Sequence, residues 1–506
     1  MLTSLILVAT VSSSLAALPK DAQKFLNSFP EKKVTIDLVV GRAMAVSDSF
    51  KSVVAGSIST ESSQLESQAA LDPYLTLVGS RGVNRNEPQT PFSPNLVVNT
   101  DAALTVGKKF SSGTNLGLNI KHSKNELGFS AFPGLDFYET RVGISLSQDF
   151  WKNAFGNSAR AQLKLGEALS KASEYSIKES IENWETALQT VFYQTWYAQN
   201  LARITEETVT RRKRLSETTR IKLTRGTAER PDLLQVESAE LQAKTQRESA
   251  AELLWNSWRG LVLQLKLPSD WIKIDPMEIP IAIDDRIEES TKICYDVTKK
   301  LNALPESATL TRAKLQKESA EYALDVAKDS LRPSLALTGD LFGNDIDYTS
   351  ASPTFGNAFT LINPGWSVAI QFALPLANSG AEGAVRRSVT DWIRAEAAAS
   401  DAESQQKLGW LNACAELSRS ERAHARYVES FEKQTKRASL EEQRFKIGRT
   451  STQFVIQAQD EAAGAEQQLM QSEMERRLAG WKIIKLKDGF QSYNESLKEK
   501  YGKVQL

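Results

Sequence analysis

Gly226-Thr-Ala-Glu-Arg-Pro-Asp232-Leu-Leu-Gln235 and Gly448-Arg-Thr-Ser-Thr-Gln-Phe454-Val-Ile-Gln457 superpose without a gap at an offset of about 222 residues in a chain of 506. Each glycine closes a long stretch without proline, 156–224 and 380–447. In the first, Leu163, Leu169, Ile177, Ile181, Trp184, Leu188, Val191 and Phe192 recur at helical spacing. Glycine is the usual residue just past a helix end, because it takes the left-handed conformation without a Cβ penalty. Two helices of about 70 residues, each roughly 105 Å long at 1.5 Å per residue, exceed what any globular core requires.

Shorter helices are predicted over 48–71, 232–267, 306–331 and 452–487. Taken in pairs, each roughly matches one long helix in length, which suggests hairpins in which a long helix runs beside two short ones. Between the helices the period changes to two. Val142, Ile144 and Leu146 alternate with small or polar residues, as do Trp366, Val368, Ile370, Phe372 and Leu374. Leu335 and Leu337, Leu104 and Val106, and Leu116, Leu118 and Ile120 repeat the pattern. Such strands set an apolar side against lipid or a core and a polar side against water. Asp72-Pro73-Tyr74-Leu75 and Arg332-Pro333-Ser334-Leu335 each mark a helix that stops at proline before a strand. The chain therefore divides into a leader at 1–17, a first repeat at 18–283, a second at 284–488 and a polar tail at 489–506.

Composition removes several function classes. With 62 basic and 62 acidic residues the net charge is zero, so the basic excess that displaces counterions from nucleic acid is missing. Cys294, Cys414, His122 and His424 have no spacing that assembles a metal site, and neither histidine has a nearby nucleophile arranged with it. No enzyme, metal or cofactor is expected. The Asp340, Asp345 and Asp347 cluster lacks the closing glutamate of a calcium loop and reads as a solvated loop. Trp151 and Trp366 flank strands and are candidates for an interfacial girdle, while Trp184, Trp196, Trp255 and Trp258 read as helix packing. Cys294 and Cys414 could form a disulfide in an oxidising compartment, but nothing in the sequence places them within reach, and free thiols are the expectation. The apolar run at 5–17, with Ser14 and Ala16 before a cut site, reads as a secretory signal.

The order helix, proline, strands, long helix, glycine turn, helix, written twice, resembles the TolC-like outer membrane efflux proteins. Gln371-Phe-Ala-Leu-Pro375-Leu-Ala-Asn-Ser-Gly380 at the second strand-to-helix junction carries the same likeness, which covers about 34–488. The resemblance implies a mixed alpha and beta membrane protein: a long-helix coiled-coil tunnel plus a transmembrane beta-barrel completed by trimerisation. It implies an outer membrane exit channel of a tripartite efflux or type I secretion system, extending into the periplasm. Its partners would be a periplasmic adaptor (membrane fusion) protein, an inner-membrane pump and outer membrane lipid.

Arg225, Gly226, Thr227, Ile447, Gly448 and Arg449 would form the adaptor-docking tips. Asp232, Gln235, Phe454 and Gln457 would line the periplasmic constriction; family members carry acids after the second tip, where this chain has Phe454 and Gln457. Asp149 also replaces the proline found at Pro375. The first half holds about 34 residues more than the second between its proline and its strand-to-helix junction. That excess contains the hairpin 102–122, which could lie outside the membrane or join the barrel wall; Lys108, Lys109 and Lys121, unwelcome in lipid, favour a hairpin that projects outside. The alternative function is an exported coiled-coil scaffold, which leaves the strands unexplained.

Overall fold

Apolar residues at helical spacing, a proline-free run and a closing glycine give helices α4 (Asn157–Thr224) and α9 (Ser379–Lys446), each 68 residues long. The computed structural model describes residues 33–488 apart from 86, 89, 91, 131, 132, 268, 285 and 300–303. The expected leader at 1–17 and the tail at 489–506 lie outside the described residues. The other helices are α1 (Ile36–Val46), α2 (Asp48–Ala55), α3 (Ser62–Ala69), α5 (Arg230–Gln264), α6 (Ile287–Lys299), α7 (Ala308–Asp329), α8 (Ser352–Phe359) and α10 (Thr452–Asp488). The helix expected over 48–71 is broken at Gly56–Ser59 into a tighter 3₁₀ turn. Strands are β1 (Tyr74–Arg85), β2 (Leu96–Lys109), β3 (Thr114–Gly128), β4 (Leu135–Asp149), β5 (Ser334–Asp347) and β6 (Pro364–Ala373).

The chain gathers into two units. One takes residues through Ser57, Ser176–Thr309 and the chain from Glu403; the other takes Ile58–Tyr175 and Leu310–Ala402. Each unit draws on both halves of the sequence.

In the helical unit the core forms around α1, whose sequence IDLVVGRAMAV is apolar on nearly every side and therefore needs cover all round. Leu38, Val39, Val40 and Ala43 are buried against Leu188, Phe192, Trp258, Leu261 and Trp271. Two indoles inside this core are paired. The Trp258 indole donates to the Trp271 carbonyl at 3.0 Å, and Trp481 donates to the Tyr193 hydroxyl, which donates to Asp284. Cys294 on α6 and Cys414 on α9 are joined in a disulfide with Cα atoms 5.6 Å apart. This corrects the expectation of free thiols: Ile287 and Ile293 on α6 pack against Trp410, Ala413 and Leu417 on α9, and that shared apolar surface brings the two sulfurs together.

In the strand unit the six strands form one antiparallel sheet in the order β1-β2-β3-β4-β5-β6. The hairpin expected to project is built into its middle. β2 pairs with β1 over the whole of β1, and β3 pairs with β4 from Thr114↔Gln148 to Leu127↔Leu135. Its lysines do not oppose this. Lys121 shares the sheet face of Asp101 and lies 3.4 Å from it, while Lys108 and Lys109 stand at the end of the strand beside the turn. That turn is held against the start of α4. Asp149 donates its backbone N–H to the Gly113 carbonyl at 3.2 Å, and a Cβ on Gly156 would lie 1.7 Å from the Ser111 carbonyl oxygen. Gly156 also has φ +79°, so no other residue fits that junction without displacing the hairpin.

The disulfide closes a loop of 120 residues and should stabilise the fold by about 2 to 5 kcal/mol, largely by restricting the unfolded chain. The double variant Cys294→Ser/Cys414→Ser is expected to unfold at lower denaturant concentration by that margin, and reduction of the parent protein to match it. Equal midpoints for oxidised and reduced protein would show that the bridge carries no stability.

Candidate functional site

Two surfaces of this chain have the build of functional sites: the glycine ends of the helical unit and the two faces of the sheet. At the first end, Gly226 has φ +71° and donates its N–H to Leu223, while Thr227 donates to Lys222 at 2.9 Å. At the second, Gly448 has φ +76°, donates to Phe445, and Arg449 donates to Arg444 at 2.8 Å. Both are Schellman caps, in which the left-handed glycine turns the last two amides back onto helix carbonyls. Arg225, Gly226, Thr227, Ile447, Gly448 and Arg449 are all exposed, and a Cβ on either glycine would meet no atom within 4 Å. The glycines are therefore required by backbone conformation.

The helices that leave the turns are tied together. Asp232 accepts from the Glu229 amide at 3.1 Å in a capping box and from the Thr452 hydroxyl at 2.8 Å, which joins the start of α5 to the start of α10. Asp232 is thus engaged in structure, whereas Gln235, Phe454 and Gln457 are exposed; Gln457 donates to Glu461. Beneath them Leu215, Val236, Phe445 and Val455 form a small buried core.

Sequence reasoning missed the polar ties beside that core. Arg212, 1% exposed on α4, donates to the Gln459 side chain and the Ile456 carbonyl at 2.9 Å each and pairs with Asp460, all on α10. Lys222 donates to the Phe445 carbonyl and stands 3.7 Å from that ring's centroid. Burial pushes its ammonium below the usual lysine range, because the charged form loses hydration there. A buried arginine leaves no periodic signal; only its place between Val209 and Leu215 on the same helix side could have marked it. A groove of about 550 Å³ opens next to these ties, lined by Glu207, Arg211, Arg214, Leu215, Glu442 and Phe445 among others.

The sheet has two unlike faces, because alternate residues point to opposite sides and paired residues share a side. On one face the register aligns Leu77, Leu104, Ile120 and Val142, and Leu118, Ile144, Leu341 and Trp366. Many of these are open to solvent: Leu77 is 73% exposed, Ile370 74% and Trp366 76%. On the opposite face a polar ladder crosses the strands. The Thr105 hydroxyl donates to Asn119, Asn119 donates to Ser145, and Ser123 donates to Asp101 at 2.6 Å. Ser367 donates to Asp340, which joins the ladder; Asp340, Asp345 and Asp347, expected in a solvated loop, all stand on β5 instead. The ring of Phe342 covers Gly365 and carries Arg141 at 3.4 Å from its centroid. Trp151, the other girdle candidate, is also exposed, whereas Trp196 and Trp258 are buried and Trp184 donates to Ser49.

The histidines are engaged elsewhere. His122 bonds the Thr140 hydroxyl at 2.8 Å, and His424 bonds Ser472 and lies 3.4 Å from Glu473. Burial holds the His424 imidazole below its ordinary range.

No protein-family profile and no curated protein matches the sequence. Solved structures do match. The outer membrane protein VceC of Vibrio cholerae is similar with a TM-score of 0.65 at 12% identity, over 89% of this chain and 95% of that one. The CmeC outer membrane channel of Campylobacter jejuni gives 0.64 at 13% over 93% and 90%. The MtrE outer membrane channel of Neisseria gonorrhoeae, in its open state, gives 0.59 at 13% over 93% and 89%. At these identities the likeness is one of fold, and it is the mixed helical and strand fold that the element order resembles.

The ties at the glycine ends can be tested without disturbing the caps. Arg212→Met keeps the aliphatic packing but leaves its three acceptors without their donor, and should destabilise this end by about 1 to 3 kcal/mol. Hydrogen exchange is expected to quicken in 212–224 and 452–460 while the amides of 36–46 keep their protection. Unchanged exchange at the tips would show that the guanidinium does not hold them.

Proposed function

We propose that the protein is the outer membrane exit channel of a tripartite efflux or type I secretion system. The observation that carries this reading is the sheet: one exposed face is apolar, the other is a hydrogen-bonded polar ladder, and β1 and β6 are its two edges. A sheet of that kind needs lipid on one side, water on the other and a partner at each edge. Three copies joined β6 to β1 make a wall of eighteen strands, a number that leaves an aqueous lumen in outer membrane barrels. The apolar face then meets lipid and the polar ladder lines the passage.

The helical unit supplies the periplasmic end. Two matched Schellman-capped turns with exposed backbone and arginines suit a periplasmic adaptor's helical hairpin, and the groove beside Leu215 and Phe445 offers apolar contact with a charged rim. Phe454 and Gln457, being exposed, are the constriction residues of this reading, and Asp232 holds the turns in place. Equal long helices and equal turns support an origin in two repeats, 18–283 and 284–488. Substrate moves passively, driven by an inner-membrane pump, and no chemistry is required of the chain.

A pair of neighbouring substitutions separates the two faces of β3. Leu118→Lys places an ammonium on the apolar face and should cost about 2 to 4 kcal/mol near the membrane midplane, whereas Asn119→Lys places it on the polar face at little cost. The expected outcome in outer membrane extracts is a heat-modifiable trimer for wild type and Asn119→Lys and loss of it for Leu118→Lys. Equal assembly of the two variants would overturn the assignment of the faces.

A further inference from the structure

Helix α8, between β5 and β6, lies on the apolar face of the sheet at the β5 C-terminal end. The Thr354 hydroxyl meets the Thr140 hydroxyl at 2.6 Å, and both residues are fully buried. The Phe355 ring stacks on His122 at 4.8 Å, and Asn357 donates to Asp345 at 3.0 Å. Gly343 permits the approach, since a Cβ there would lie 2.3 Å from the Ala358 carbonyl oxygen. Thr140, His122 and Gly343 share the face of Ile144, Leu118 and Leu341 by register, so the helix sits on the same side as the apolar belt.

The side of this segment turned away from the sheet is apolar as well. Phe359 is 57% exposed and Ile362 58%, with Trp366 following on β6, while the Leu361 side chain packs over Gly343. Between Tyr348 and Ala381 the sequence contains no Asp, Glu, Lys, Arg or His. A water-exposed loop of that length ordinarily carries charge, and an apolar segment continuous with an apolar belt is matched to the same solvent as the belt.

We propose that α8 and the chain onward to Trp366 form a lipid-contacting element of the outer leaflet, with Phe359 and Ile362 seated among acyl chains at the headgroup boundary. The inference rests on the reading of the apolar face as lipid-facing. It adds to the barrel wall a short uncharged helix packed on the outside of the strands, with aromatic and aliphatic side chains on its outer side, as in interfacial helices. The polar tie between Thr354 and Thr140 fixes the helix to the wall.

The test uses nitroxide labels on the full chain in vesicles of phosphatidylethanolamine and phosphatidylglycerol, where the disulfide-bonded Cys294 and Cys414 take up no label. Phe359→Cys and Ile362→Cys are compared with Ile144→Cys in the belt and Ser350→Cys in the preceding turn. Collision with dissolved oxygen reports lipid, and collision with a water-soluble nickel chelate reports solvent. The expected result is an oxygen-to-nickel ratio several-fold higher at 359, 362 and 144 than at 350. A high ratio at 144 with nickel-dominated collisions at 359 and 362 overturns this proposal and leaves the channel reading standing. Labels at 359 and 362 shielded from both reagents show a second copy covering the helix and also overturn it. Nickel-dominated collisions at 144 itself defeat the channel reading, and this inference with it.

Discussion

Unpaired backbone at the edges of a sheet with two unlike exposed faces is the constraint on which the rest of this structure depends. Six strands place Leu77, Ile144, Ile370 and Trp366 in the open on one side and a chain of Thr, Asn, Ser and Asp hydrogen bonds on the other. Water cannot favour the first face, a dry core cannot favour the second, and in lipid the edge amides of β1 and β6 must find partners. A closed wall with lipid outside and water inside satisfies all three demands at once. The hairpin of β2 and β3 is indispensable to this, because β1 and β4 meet only through it. Its turn, clasped at Gly113 and Gly156, also fixes the junction at which β4 gives way to the long helix.

The helical unit solves a different problem, that of ending four helices in solvent without leaving amides and carbonyls unpaired. Gly226 and Gly448 close the long helices by the same two-bond turn, and Asp232 closes the start of α5 while reaching Thr452 on α10. Arg212 and Lys222 then bind α4 to the partner segments through buried or half-buried cationic hydrogen bonds. Such bonds are strong where water is excluded and costly to leave half made, so they favour one arrangement of the helix ends over near alternatives. Further from the turns, the disulfide between α6 and α9 fastens elements far apart in sequence.

Much of this was legible in the sequence, for identifiable reasons. Freedom from proline, helical spacing and a glycine needing positive φ are local properties, and they located α4, α9 and both turns to within a residue or two. Alternation located the strands for the same reason. Pairing is not local, and there the reading failed. Counting residues between matched motifs set 102–122 apart as an insertion, but register gives Lys121 to the polar face with Asp101 and leaves Lys108 and Lys109 at the strand end. Cys294 and Cys414 are 120 residues apart, and only the packing of α6 on α9 brings them together. Helix α1 escaped notice because a segment apolar all round has no amphipathic period. At the helix ends, the exposed glycine turns were visible and the buried Arg212 was not.

The central claim is that copies of this sheet close into a water-filled passage through a lipid bilayer. Purified protein added to one side of a planar lipid bilayer tests it most directly. The account predicts stepwise, ohmic increases in ion conductance that persist without nucleotide or any other protein. Vesicle-associated protein that produces no conductance steps, or only irregular leakage, would contradict it.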